Sequence, residues 1–151
     1  MPQVKYGITV IFDAPLAYVY RWCTDFSDED PKIINAPYTR HVIEKTKSRS
    51  IWIQHYSRDG VEKEGVRIVT MTPPKSWHLE SVNEELNRTG DYKLTPLGCG
   101  KTKLDIRLST KYFTVEPEPA KKLTEGLAED WVKYKAALQK DYSTPKKIDT
   151  S

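Results

Sequence analysis

His55 and Glu64 are the side chains whose types and spacing best suit proton chemistry. They lie in alternating runs on either side of Asp59-Gly60, a pair that favours two-residue hairpin turns because both positions tolerate positive φ. Such a turn sets Arg58 opposite Val61. Counting outward sets Ile53 against Val66, Ile51 against Ile68 and His55 against Glu64. An imidazole beside a carboxylate on a buried face relays a proton or anchors a polar group of a ligand. The plainer and commoner reading is an ion pair at a strand end. On the other parity Trp52 faces Arg67, which reads as a solvent-side cation–π contact.

Other chemistry finds little support. His41, His55 and His78 fall in separate runs without HxH or HxxxH spacing, so no metal is expected. There is no GxSxG elbow, P-loop or GxGxxG turn, and no cofactor is expected. Cys23 ends an apolar helical stripe and reads as a small core residue, while Cys99 sits in a Gly-Cys-Gly turn. Two thiols without CxxC pairing fit a reducing compartment.

The charge of +3 comes from 24 basic and 21 acidic residues dispersed along the chain, which suggests no nucleic-acid partner. No apolar stretch approaches membrane-spanning length and the N-terminus does not read as a signal peptide. The expectation is a cytoplasmic protein, monomeric or weakly dimeric, without stable membrane insertion. Asn87-Arg88-Thr89 matches a glycosylation acceptor, but a cytoplasmic chain never presents it for modification.

The elements that must position these residues follow from periodicity. Val4, Tyr6, Ile8, Val10 and Phe12 alternate as a strand with one buried face. Asp13 is placed to cap a helix with Pro15 in its first turn and a stripe of Leu16, Val19, Tyr20 and Cys23. Ser27, Asp30 and Pro31 signal a second short helix. Strands are expected at 39–46, 50–58, 61–71, 76–84, 89–97 and 101–112. Their short links demand antiparallel neighbours.

From the turn at Gly98–Gly100, Leu94 faces Leu104 and Tyr92 faces Ile106, with Leu108 beyond, whereas Lys101, Lys103, Asp105 and Arg107 point the other way. Ala120, Leu123, Leu127, Trp131, Tyr134, Leu138 and Tyr142 then form one helical stripe. Gly126 beside it costs roughly 1 kcal/mol against Ala and marks a bend or a close approach. The reading is one α+β domain over 1–142 and a polar tail over 143–151.

This order, a strand, two short helices, six antiparallel strands and a long terminal helix, resembles the helix-grip superfamily. That superfamily includes the birch pollen allergens, START lipid-transfer domains, polyketide cyclases and ubiquinone-binding chaperones. The likeness rests on "ITVIFDAPLAYVYRWCTDF" at 8–26, "RIVTMTPPKSWHLES" at 67–81, "GDYKLTPLGCGKTKLDIRLS" at 90–109 and "LAEDWVKYKAAL" at 127–138. It implies a seven-stranded curved sheet wrapped around the last helix, with an apolar ligand between them.

The cavity implied by the resemblance is lined by Ile53, His55, Glu64, Val66, Ile68, Leu79, Tyr92, Leu94, Ile106 and Leu108 below, and by Leu123, Leu127, Trp131 and Tyr134 above. The function implied is binding or transport of a hydrophobic small molecule such as a lipid, isoprenoid or polycycle. His55, Glu64, Tyr92 and Tyr134 are the candidates to orient it. Two alternatives stand beside it: a cyclase, dehydratase or aromatase using His55 and Glu64 as acid and base, and an interaction module assisting a chaperone.

Overall fold

The computed structural model describes residues 2–26 and 30–144. Strand β1 (Gln3–Phe12) leads into helices α1 (Leu16–Cys23) and α2 (Asp30–Ile33). Six strands follow: β2 (Tyr38–Lys45), β3 (Arg49–Arg58), β4 (Val61–Thr72), β5 (Ser76–Val82), β6 (Leu86–Gly98) and β7 (Lys101–Tyr112). Helix α3 (Ala120–Ser143) closes the chain. The strands form one antiparallel sheet in the order β1-β7-β6-β5-β4-β3-β2, so the meander returns to pair its last strand with its first.

Two hairpins carry the register counted from sequence. Asp59 and Gly60 take positive φ at 53° and 77°, the conformation that a two-residue turn matching strand twist requires. His55 accordingly pairs with Glu64 and Ile53 with Val66. At the other hairpin Cys99 and Gly100 have φ of 55° and 71°, and Tyr92 pairs with Ile106 and Leu94 with Leu104.

The face assigned to the first hairpin is a correction. The sequence reading turned Ile51, Ile53, His55, Glu64, Val66 and Ile68 inward, but Trp52, Val69 and Met71 are the buried apolar residues of these strands, at 2%, 1% and 7% exposure. The reason is the link through β5. Val69 pairs with Leu79 and Trp77 with Tyr92, which puts the parity of Trp52, Arg67 and Val69 on the side of Tyr92, Leu94, Ile106 and Leu108.

The closed core lies where β6, β7 and β1 meet α1 and the end of α3. Phe12, Val19, Leu94, Leu104, Ile106 and Leu138 are buried there to 1% or less. Thr102, also fully buried, donates its hydroxyl to the Ala14 carbonyl at 2.8 Å, which satisfies a polar group that burial would otherwise penalise.

Helix α1 buries Val19, Tyr20 and Cys23 as its stripe demands, but its N-cap is Pro15 without a side-chain bond. Asp13 instead donates its backbone N–H to Gln139 Oε1 at 2.9 Å and sets its carboxylate 3.5 Å from Lys101 Nζ. Ser27, expected to cap α2, and all of the polar tail beyond Thr144 lie outside the described residues.

Helix α3 grips the sheet by its C-terminal half. Leu138 enters the core, Gln139 takes the Asp13 amide, Trp22 Nε1 donates to Asp141 Oδ2 at 2.9 Å, and the ring of Trp131 meets Phe12 edge-on at 6.4 Å. The ends of the expected stripe are solvent-exposed, at Ala120 and Tyr142, and Leu123, Leu127, Trp131 and Tyr134 are half-buried. Gly126 makes no close approach: nothing stands within 4 Å of where its Cβ would be, and the helix continues through it. Pinned at one end, α3 overhangs β3 to β6 and leaves a hollow beneath it.

Candidate functional site

The hollow is a cavity of about 400 Å³ between the concave face of the sheet, helices α1 and α2, and the overhanging turns of α3. Aromatic rings make most of its apolar wall. Trp77 and Tyr92, paired across β5 and β6, stack at 5.1 Å and 10°. Tyr92 meets Trp131 at 6.4 Å, Trp131 meets Tyr134 at 5.0 Å, and Tyr134 meets Trp22 at 6.3 Å. Phe26 lies on Trp52 at 5.2 Å. All four tryptophans of the chain border this space. Rings linked this way keep their positions without filling the space between them, since each is held by edge and face contacts with its neighbours.

Polar groups stand on the concave face from β2 across to β6. Arg40 sits over the Trp52 ring at 4.3 Å and pairs with Asp30 at 3.2 Å, joining β2 to α2. Arg67 reaches Ser81 Oγ from Nε at 3.3 Å, and Arg88 reaches Thr110 Oγ1 from Nε at 3.1 Å. Burial lowers the pKa of Arg67 from its ordinary value, with the Arg88 and Arg40 cations contributing further.

Burial also pushes the Tyr92 hydroxyl up to about 12 and raises Tyr134. Both stay neutral donors at physiological pH. The Cys23 thiol on the wall is raised by burial as well, with Asp30 and Asp25 adding to it, and a thiol held protonated is a poor nucleophile. Asp130 on α3 is raised by partial burial. Among the described residues no three His, Cys, Asp or Glu side chains are grouped to hold a metal ion.

Of the residues expected to line a cavity, Leu79, Tyr92, Leu108, Leu127, Trp131 and Tyr134 do so. Leu94 and Ile106 share the inner face but are sealed in the core at 1% exposure, and Leu123 lies outside the wall. Ile53, His55, Glu64, Val66 and Ile68 are on the opposite, convex face. His55 Nδ1 is 3.4 Å from Glu64 Oε1, with the two side chains 41% and 68% exposed, so this is a surface pair in water. Trp52, expected against solvent with Arg67 above it, is buried and carries Arg40 instead. Arg67 lies 5.8 Å from the Tyr38 ring.

The reasoning from sequence missed Trp22, Phe26, Trp52, Trp77 and the three arginines. For Trp52 and Arg67 the signal is the parity of β3 and β4, which reads as a wet face because Gln54, Lys63 and Arg67 share it. Arg67 points inward because its part of the concave face borders a cavity, not a close-packed core.

No family model matches the sequence, and no curated protein does. Solved structures match its fold. A Streptomyces aromatase/cyclase, ZhuI, superposes with a TM-score of 0.68 at 13% identity over 93% of each chain. Ara h 8.0201 superposes at 0.70 and 12% identity, over 92% of this chain and 99% of its own. The major latex-like protein of ginseng, Panax ginseng, superposes at 0.65 and 13% identity over 89% and 97%. These are helix-grip proteins, and at such identities what they share with this chain is that fold.

Proposed function

We propose that this helix-grip protein binds or carries a hydrophobic small molecule, such as a lipid, isoprenoid or polycyclic compound, in the cavity under α3. The observation that carries the reading is the space of about 400 Å³ bounded by linked aromatic rings. Its size falls within the range of sites for small organic ligands, and its lining of apolar wall with a few convergent polar groups is what such sites use. Burial of ligand carbon supplies the affinity, at roughly 25 cal/mol per Å². Tyr92 and Tyr134, held neutral, are placed to orient a polar group. The cytoplasm remains the expected compartment, with a monomer or weak dimer as the working state. No helix among the described residues is long and apolar enough to cross a membrane.

The cyclase reading loses the acid–base pair it drew on, because His55 and Glu64 face water on the far side of the sheet. The interaction-module reading draws on Ile43, Val66 and Val82, which are 57%, 39% and 49% exposed. Val66 and Val82 pair across β4 and β5, but a few exposed aliphatics are ordinary on protein surfaces, so the cavity is the stronger feature.

The test is fluorescence titration with the uncharged probe N-phenyl-1-naphthylamine. The native protein is expected to bind it, and Leu127→Trp, which adds an indole to the roof, is expected to weaken binding at least about tenfold while the fold persists. Unchanged affinity in that variant contradicts the assignment of the site.

A further inference from the structure

Arg67 and Arg88 occupy one row of the sheet. Trp52 pairs with Arg67, Arg67 with Ser81, Ser81 with Arg88 and Arg88 with Thr110. All five therefore point to the concave side, and both arginines border the cavity. With strands about 4.8 Å apart, the two arginine backbones stand roughly 10 Å from each other, with only the small Ser81 between them. Two side chains of arginine length easily converge over that gap.

Their partners are neutral. Arg67 spends Nε on the Ser81 hydroxyl and Arg88 spends Nε on the Thr110 hydroxyl. Among the described residues neither takes part in an ion pair. The cavity's two carboxylates are placed elsewhere: Asp30 pairs with Arg40, and Asp130 lies on α3 beside Lys133 and Glu129. Two cations thus stand side by side at the cavity wall, an arrangement that an anion between them would stabilise. A guanidinium whose Nε is occupied keeps its terminal nitrogens, which suit the paired oxygens of a carboxylate, phosphate or sulfonate. Next to this polar end lie Trp77, Tyr92, Leu108 and Leu127, a wall for carbon.

We propose that Arg67 and Arg88 form an anion subsite inside the cavity, and that the ligand is an amphiphile whose oxyanion head binds between them while its apolar body lies under α3. This rests on the cavity being the ligand site and narrows the ligand from any hydrophobic molecule to an anionic one.

The test compares 1-anilinonaphthalene-8-sulfonate with N-phenyl-1-naphthylamine, which differ by the sulfonate. In the native protein the sulfonate probe is expected to bind at least about tenfold tighter, the worth of one charge-assisted hydrogen bond. Arg67→Gln and Arg88→Gln are each expected to bring the ratio of the two affinities close to unity. Ser81→Asp, which supplies a carboxylate between the arginines from within the sheet, is expected to raise Tm and erase the same ratio, so the outcome does not depend on the arginine variants folding.

Equal affinities in the native protein, or a preference that survives in Ser81→Asp, overturns the subsite and leaves the cavity reading standing if the neutral probe binds. Failure of both probes to bind overturns both. Millimolar inorganic phosphate is expected to displace the sulfonate probe no better than chloride at equal ionic strength, whereas dodecanoate displaces it. Phosphate as effective as dodecanoate overturns the amphiphile and points to a free anion.

Discussion

Trp52 and His55 stand three residues apart on β3 and face opposite sides of the sheet. The indole is 2% exposed, bonded through Nε1 to Gln54 Oε1 at 3.1 Å and flanked by Phe26 and Arg40. The imidazole is a surface group with a solvated carboxylate beside it. Their contributions to stability are therefore expected to differ sharply. Trp52→Ala is expected to cost about 3–5 kcal/mol in urea unfolding, whereas His55→Gln stays within about 0.5 kcal/mol of the native protein. Comparable losses in the two variants contradict the face assignment.

What sequence could reveal of this site follows from the same residues. Leu79, Tyr92, Leu108, Leu127, Trp131 and Tyr134 carry period-two or helical spacing together with apolar character, and they reach the cavity. Arg40, Arg67 and Arg88 do not advertise themselves, because a charged side chain on a strand reads as solvent-facing unless its register is tied to a known interior position.

At the scale of elements, α3 behaves as two halves. Its C-terminal turns are fastened by Leu138, Gln139 and Asp141 to β1 and α1. Its first and middle turns stand over the cavity, with Leu127, Trp131 and Tyr134 half-buried. Leu138→Ala is expected to cost about 2–5 kcal/mol, since it empties a fully packed site, whereas Leu127→Ala merely enlarges a space already present and costs clearly less. Thermal or urea unfolding of the two variants decides the matter, and the reverse ranking contradicts the division of the helix.

The periodicity of this helix was plain in the sequence. Its standing off from the sheet was not, because a stripe of leucine and aromatic residues is the same whether it meets a core or overhangs a cavity. The hairpins behave alike: Asp59-Gly60 and Gly98–Gly100 reveal their own registers, but each turn relates only its own two strands. The turn at 73–75 supplies the missing relation. Setting Thr72 opposite Ser76 brings Val69 against Leu79, and with Trp77 against Tyr92 across β5 and β6 this carries the inward parity of β6 and β7 across to β4 and β3.

At the scale of the whole molecule, the seven strands, the two short helices after β1 and the closing helix were all readable from alternation, turn chemistry and helical spacing, because these are local properties. Curvature was readable only through the resemblance and not from any local pattern, since it arises from accumulated twist and from bulges at Val42/Glu44 and Pro96/Gly98. Curvature is what separates the concave face from α3, and so it creates the site that the account rests on.

The central claim, that an apolar ligand occupies the space under α3, is tested most directly by NMR titration with N-phenyl-1-naphthylamine. The indole N–H signals of Trp22, Trp52, Trp77 and Trp131 report the cavity wall, and the ring signals of His55 and His78 report side chains exposed to solvent outside that wall. The account predicts that all four indole signals shift as the probe is added while both histidines stay still. Shifts at His55 and His78 with unmoved indoles would place the ligand elsewhere and contradict it.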